Sequence, residues 1–192
     1  MTMLADNISL HLSGFDLLRN ISLEVQAGKV TAIVGPNGAG KSSLLKVLTG
    51  EMAPTKGEVR LNHRLLDEWP LLEKAQMLGV LPQHTMLNFP FTANEVVGLG
   101  RIPHQTGLVK DRQIVSDALD LVDGSYLQKR FYTQMSGGEK QRVQLARVLA
   151  QIWQPSAIGE QFLVLDEPTS AFDLSHQKLT LDIVRQLAEK GV

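Results

Sequence analysis

Hydrophobic and polar residues alternate in two segments near the start of the chain. Ile8–Leu12 and Ile21–Val25 place apolar side chains at every second position, which is typical of strands with one face in water. The segment Ser13–Asp16 lies between them and contains a glycine, as turns commonly do. The pattern therefore predicts an antiparallel β layer.

Three short apolar runs lack this alternation and predict strands that are buried on both faces. They are Lys29–Val34, Leu78–Pro82 and Phe162–Leu165. Apolar residues follow helical spacing at Ser43–Leu48 and again at Leu71–Met77. Strands that alternate with helices indicate an α/β fold with a central, mostly parallel sheet.

From residue 92 to residue 152 the pattern is helical. Capping boxes begin two helices, one at Thr92–Glu95 and one at Ser136–Glu139. Another helix has an apolar face that consists of Ile114, Val115, Ala118, Leu119, Leu121 and Val122. We therefore expect one domain over residues 1–192, in which a core with the β layer (1–85 and 155–192) carries an inserted α-helical subdomain (86–154).

Composition favours an ordinary globular protein. The chain has 192 residues, of which 43% are hydrophobic and 20% charged, and its net charge of -1 does not favour nucleic acid as a partner. It contains no cysteine, which excludes disulfides, thiolate zinc sites and cysteine nucleophiles. Residues 1–6 lack the basic and apolar regions of a signal peptide, so we expect a cytoplasmic protein.

A glycine-rich segment lies between the first apolar run and the first helical pattern. Gly35–Ser42 fits the phosphate-binding pattern G-x-x-x-x-G-K-[ST]. Glycines let the loop turn its backbone N–H groups inward, and the following helix adds the positive end of its dipole. We expect Lys41 to reach the β and γ phosphates of a nucleotide and the Ser42 hydroxyl to bind Mg²⁺. The predicted nucleotide-binding residues here are Gly35, Pro36, Asn37, Gly38, Ala39, Gly40, Lys41, Ser42 and Ser43.

Polar residues at strand ends extend the predicted site. Asp166 and Glu167 directly follow a buried run, where an acidic pair is costly unless it meets a metal or takes a proton. An ordinary solvated turn is the alternative. We expect Asp166 to hold Mg²⁺ through water and Glu167 to act as general base toward the attacking water. Gln83 follows another buried run and is assigned to both the catalytic and the metal-binding groups.

Two further segments are candidates for nucleotide contact. We predict that Phe15, or alternatively Leu12, lies against an adenine ring, although an aromatic residue packed in the core beside a turn is the other interpretation. The helix that begins at residue 136 has two glycines in its first turn, which cost about 1 kcal/mol each relative to alanine. Because glycines leave the N-terminal amides uncovered, we predict a second anion site there. Its residues are Ser136, Gly137, Gly138 and Glu139.

Taken in order, these segments resemble the motifs of one family. Gly35–Ser42, Gln83, Ser136–Arg142, Phe162–Glu167 and Ser170–Asp173 resemble the Walker A loop, Q-loop, signature, Walker B and D-loop of ATP-binding cassette (ABC) transporter ATPases. The resemblance implies a P-loop NTPase fold with ATP and Mg²⁺ as cofactors. It also implies a head-to-tail homodimer in which each signature motif binds the ATP of the other subunit.

Three features depart from the family pattern. Met135 and Phe172 stand where leucine is usual, and both are tolerable apolar replacements. The switch histidine of the family follows a strand after the helix that spans about residues 176–189, and the chain ends at Val192. We therefore expect a C-terminally truncated chain that binds ATP but turns it over slowly.

Finer features are similar to hemin importer ATPases. They are Val96–His104, the insert Gln154–Gln161 and Asp173–Gln177, parts of which ferric-siderophore and cobalamin importers share. This similarity implies an ATPase at the cytoplasmic face of the inner membrane that energises hemin uptake. Its partners would be two membrane-spanning permease subunits and a periplasmic substrate-binding protein, with no nucleic acid.

Two other classes of protein are the alternatives. A soluble cassette ATPase that acts on nucleic acid or ribosomes usually has two cassettes or a long coiled coil, and this chain shows one cassette and no basic stripe. A nucleotide kinase uses the same phosphate loop but does not need the Ser136–Glu139 helix start. Both classes fit the sequence less well than a transporter ATPase does.

Overall fold

The computed structural model describes residues 2–83, 87–169 and 172–192. The strands are β1 (Thr2–Leu12), β2 (Phe15–Gln26), β3 (Lys56–Leu61), β4 (Arg64–Leu65), β5 (Leu78–Leu81) and β6 (Phe162–Leu165). The α-helices are α1 (Lys41–Leu48), α2 (Leu71–Met77), α3 (Ala93–Gly98), α4 (Leu108–Leu121), α5 (Gly137–Gln151) and α6 (Leu174–Glu189). Short 3₁₀ segments lie at Leu66–Glu68, Leu99–Arg101, Ser125–Leu127 and Tyr132–Gln134.

The predicted antiparallel β layer is confirmed, and it is longer than the alternating segments alone. Its strands are ordered β2-β1-β3-β4, and β1 pairs with β2 and with β3 in antiparallel register. The turn between β1 and β2 consists of Ser13 and Gly14, both with positive φ. Their conformation allows the tight reversal that joins the two long strands.

Two of the predicted buried strands form a parallel pair. β5 and β6 pair from Leu78 with Phe162 to Leu81 with Leu165, and the Leu81 carbonyl also accepts a 2.9 Å hydrogen bond from the Asp166 backbone N–H. Their carboxyl ends therefore lie side by side. This register brings the residues that follow β5 next to the residues that follow β6.

The prediction of a strand at Lys29–Val34 is wrong. These residues are not a strand, no described strand pairs with them, and the side chain of Val34 is 90% exposed. A groove of about 370 Å³ lies between residues 29–33, β6 and α6. A β-branched composition favours extended backbone, but a ladder needs a partner within hydrogen-bonding distance, and this groove separates the segment from β6.

The predicted helical segment is confirmed, with both capping boxes formed as expected. α3, α4 and α5 pack around one hydrophobic cluster, whose fully buried members include Val96, Val97, Ala118, Leu119, Val143, Ala146 and Val148. A second cluster lies between the β layer, α1 and the starts of β5 and β6, and includes Ala5, Ile8, Val47, Leu48, Leu61 and Met77. None of the helices in residues 2–83, 87–169 and 172–192 is long and apolar enough to cross a membrane.

Candidate active site

The glycine-rich loop ends where α1 begins. Gly40 precedes the helix with φ 87, and a Cβ at this position would lie 2.8 Å from the Leu17 carbonyl oxygen of β2. Both the left-handed conformation and the close approach of β2 require glycine here. The eight-residue helix α1 has no acidic side chain in its first turn, so its N-terminal amides and dipole favour an anion at the loop.

The ammonium group of Lys41 lies against this loop. Its Nζ donates hydrogen bonds of 2.9 Å to the carbonyl oxygens of Gly35 and Pro36. These two bonds place a positive charge beside the N-terminus of α1. The loop therefore combines a fixed cation with helix amides, which is the arrangement that suits a polyphosphate.

Ser42 and Asp166 meet across 124 residues of sequence. The Ser42 hydroxyl donates a 3.2 Å hydrogen bond to Asp166 Oδ1, which joins the first turn of α1 to the end of β6. A hydroxyl and a carboxylate are hard oxygen ligands, and Mg²⁺ usually binds one or two such protein groups and keeps several waters. The donor set therefore fits Mg²⁺, and two of the three predicted ligands lie at one point, whereas the third, Gln83, hydrogen-bonds to Glu167. In the described residues no group of three or more His, Cys, Asp or Glu side chains forms a larger metal cluster.

Glu167 follows Asp166 in an uncommon backbone conformation. Its φ of 49° lies in the left-handed region, where a side chain with a Cβ is strained. Gln83 Nε2 donates a 2.7 Å hydrogen bond to Glu167 Oε2. The parallel register of β5 and β6 thus brings the predicted Gln83 and Glu167 together, 84 positions apart in the sequence.

The predicted second anion site begins α5. Ser136 Oγ accepts from the Glu139 backbone N–H at 3.3 Å, and Glu139 Oε2 accepts from the Ser136 backbone N–H at 2.8 Å. The backbone hydrogen bond from Ser136 lowers the pKa of Glu139, and Arg130, 2.6 Å away, contributes in the same direction. Glu139 therefore caps α5 and pairs with Arg130 in this structure. Nucleotide binding by Glu139 remains a prediction.

Open space at the start of α5 supports the interpretation of its glycines. A Cβ at Gly137 would meet no atom within 4 Å. Packing therefore does not require glycine at position 137, and there is open space beside this residue, while the N–H groups of Ser136 and Glu139 are bonded within the capping box. This arrangement suits contact with a separate molecule.

Phe15 begins β2 and is 72% exposed. Its strand neighbour across the hairpin is Leu12, the alternative candidate, which is 48% exposed. Leu17, two residues further along β2, approaches Gly40 of the phosphate loop. Both candidates are therefore available at the surface on the strand beside the loop, and stacking on adenine remains a prediction.

One contact in this region was missed by the sequence reasoning. Gln141 of α5 donates from Nε2 to the Pro168 carbonyl oxygen at 2.9 Å and to the Glu167 carbonyl oxygen at 3.4 Å. The capping box predicted where α5 begins, but no local pattern indicates which element its first turns will touch. Of the predicted D-loop Ser170–Asp173, Ser170 and Ala171 lie outside the described residues.

The site defines the class of protein as a P-loop nucleotide hydrolase. It combines the phosphate loop with the pair of Ser42 and Asp166 and the pair of Gln83 and Glu167. The sequence model of the ABC transporter family matches residues 18–170. The chain belongs to the ABC transporter family and is one of its ATP-binding subunits, which are ATPases.

Known relatives agree with this assignment. The chain is 50% identical over 186 residues to the hemin import ATP-binding protein HmuV of Pseudomonas entomophila strain L48, a match that covers 97% of this chain and 72% of that protein. A solved metal-chelate type ABC transporter in an inward-facing conformation is 29% identical with a TM-score of 0.76, covering 98% of this chain and 68% of that chain.

A bacterial ABC transporter cassette solved as a dimer gives a TM-score of 0.85 at 24% identity, covering 98% of this chain and 83% of that one. At this identity the likeness shows the fold.

Proposed function

We propose that this chain is the ATP-hydrolysing, nucleotide-binding subunit of an importer that takes up hemin for iron acquisition. The observation that carries the hydrolytic role is the convergence of Ser42, Asp166, Gln83 and Glu167, which come from segments far apart in sequence, beside the phosphate loop. The hemin assignment rests on the relative that is 50% identical and is described as a hemin import ATP-binding protein.

The residues divide the chemistry of ATP hydrolysis between them. The loop amides and Lys41 would bind the phosphates, and Ser42, Asp166 and Gln83 would hold Mg²⁺, which would neutralise charge on the phosphate oxygens. Glu167 accepts the proton of the water that attacks the γ-phosphorus. The bond between that phosphorus and the leaving oxygen breaks, which yields ADP and phosphate.

The partners are proposed from the family assignment, and the open space at Gly137 supports contact of α5 with a second copy of the chain. Ser136, Gly137 and Gly138 bind the ATP held by a second copy of the chain, in a head-to-tail homodimer. The dimer binds two permease subunits at the cytoplasmic face of the membrane and works with a periplasmic substrate-binding protein. Nucleic acid has no role in this assembly.

A second cargo class is supported by the solved metal-chelate type transporter, which is 29% identical. A ferric siderophore or cobalamin would be the cargo in that case. The ATPase chemistry would be unchanged, because cargo is selected by the other subunits.

Reconstitution tests the cargo directly. The protein is reconstituted in liposomes with the permease and the substrate-binding protein of a hemin importer, and ATP-dependent uptake of hemin, a ferric siderophore and cobalamin is compared. We expect uptake of hemin alone, and none with Lys41→Ala. Uptake of either other cargo without hemin would favour the second class, and a complete system that hydrolyses no ATP would contradict the proposal as a whole.

A further inference from the structure

The peptide between Glu167 and Pro168 has few groups that can hold it in place. Proline has no backbone N–H, so the peptide between Glu167 and Pro168 offers only the Glu167 carbonyl oxygen for hydrogen bonding, and Pro168 itself adds only its own carbonyl oxygen. Glu167 is also left-handed, at φ 49, a conformation that persists only where the surroundings impose it. Some contact must therefore fix the backbone from which the carboxylate projects.

Gln141 supplies such a contact. Its side-chain amide donates to the Pro168 carbonyl at 2.9 Å and, at a longer 3.4 Å, to the Glu167 carbonyl. Gln83 contacts the other end of Glu167, with its amide 2.7 Å from Oε2. One glutamine thus fixes the carboxylate and the other fixes the backbone that carries it.

Resting on the proposed function, we propose that Gln141 is a positioning residue for ATP hydrolysis. It holds the backbone at Glu167 and Pro168 so that the Glu167 carboxylate lies where it can take a proton from the attacking water. Gln141 follows the capping residue Ser136 by five positions on the same end of α5. The helix that faces the ATP of the partner subunit is thereby linked to the general base of its own subunit.

The same helix offers a matched control. Gln151, at the other end of α5, donates from Nε2 to the carbonyl oxygens of Ala75 at 2.7 Å and Leu78 at 3.0 Å. Both glutamines are half-buried, and each binds two backbone carbonyls through its side-chain amide. They differ in that only Gln141 contacts the segment that carries Glu167.

The test compares Gln141→Met with Gln151→Met in the complete protein. Methionine preserves length and removes the amide donor, so both variants should lose similar stability in urea unfolding. We expect Gln141→Met to lower kcat by roughly 10- to 100-fold with little change in the KM for ATP, as a small misplacement of a reacting group does. Gln151→Met should keep near-normal kcat, and Gln141→Lys, which restores a donor, should recover part of the loss.

A second measurement keeps the inference testable through Glu167 itself. In single-turnover experiments, Gln141→Met should add little further loss once Glu167→Gln is present, because residues that act as one unit are not additive. Equal kcat losses in the two methionine variants, or a Gln141→Lys variant as slow as Gln141→Met, would overturn the positioning role alone. A wild-type protein that hydrolyses no ATP would instead overturn the proposed function, and the positioning role with it.

Discussion

Lys41 is the residue whose contribution to nucleotide binding is the most direct to measure. Its ammonium lies 2.9 Å from two carbonyl oxygens of the phosphate loop. In Lys41→Ala we expect ATP affinity to fall roughly ten- to a hundredfold, since a charged hydrogen bond contributes about 1.5–3 kcal/mol. Isothermal titration with ATP gives the affinity. An unchanged dissociation constant would contradict the assignment of the loop.

Arg101 is the most buried charged side chain in the helical layer. We expect the ionisation of its partner, Asp111, to make the stability of this layer depend on pH. Arg101 is 4% exposed and lies 2.9 Å from Asp111 Oδ1. Burial raises the pKa of Asp111, but hydrogen bonds from Thr106 and Arg101 outweigh burial and leave the pKa below its ordinary value. The ionised carboxylate therefore stabilises the fold above the unfolded pKa of about 3.9, and this stabilisation is lost as pH falls through the lowered pKa.

Asp111→Asn tests that account. At pH 7 we expect the free energy of unfolding to fall by about 1.5–3 kcal/mol, because Arg101 loses its charged partner. The difference from wild type should shrink as the pH falls from about 4 through the lowered pKa of Asp111, because the carboxylate is protonated first in the unfolded state and only at lower pH in the folded state. Urea unfolding at pH 7 and below pH 4 measures this difference in the free energy of unfolding. A difference that stays constant between the two conditions would show that the pair does not act through its charge.

At the scale of elements, α5 packs closely against the 3₁₀ segment Leu99–Arg101, and we expect this packing to stabilise the helical layer. A Cβ at Gly100 would lie 2.2 Å from the Arg147 carbonyl oxygen, so Gly100→Ala forces the two elements apart. We expect it to lower the unfolding free energy by about 1–3 kcal/mol or more. Gly98→Ala is the control, because a Cβ there meets nothing within 4 Å and the backbone is helical. It should be neutral or slightly stabilising in thermal unfolding, and equal effects of the two would contradict this packing.

Local elements could be predicted from the sequence, because their signals are local. The capping boxes at Thr92 and Ser136 and the loop that ends at Gly40 depend on residues within a turn or two of one another. The segment Lys29–Val34 has a strand composition, but pairing depends on a neighbour that composition does not reveal. The prediction there was wrong for that reason.

Contacts between distant elements explain what else could not be predicted. Glu139 fits a nucleotide-binding motif by sequence, yet its carboxylate lies on Arg130 and on the start of its own helix. The link from Gln141 to Pro168 spans 27 positions and exists only because the fold brings the start of α5 beside the residues that follow β6. Such contacts require the packed fold, since no periodicity in either segment encodes the other.

At the scale of the whole molecule, hydrolysis by the proposed mechanism requires two copies of the chain. Lys41 and Ser136 belong to different halves of each proposed site, so Lys41→Ala and Ser136→Arg chains should each be inactive. Mixed in equal amounts they should recover up to roughly a quarter of the wild-type rate, because half of randomly paired dimers are hybrids with one intact site. Phosphate release from the mixture measures this, and no recovery would argue against action in trans.

In the proposed mechanism, the site at the ends of β5 and β6 hydrolyses ATP with Glu167 as general base. Steady-state phosphate release by the complete protein and by Glu167→Gln, at saturating ATP and Mg²⁺, tests it most directly. We predict that the wild type releases phosphate, whereas Glu167→Gln binds ATP with unchanged affinity and turns over roughly 10²- to 10⁴-fold more slowly, because glutamine cannot take the proton. Near-normal turnover by Glu167→Gln, or no phosphate release by the wild type, would contradict the claim.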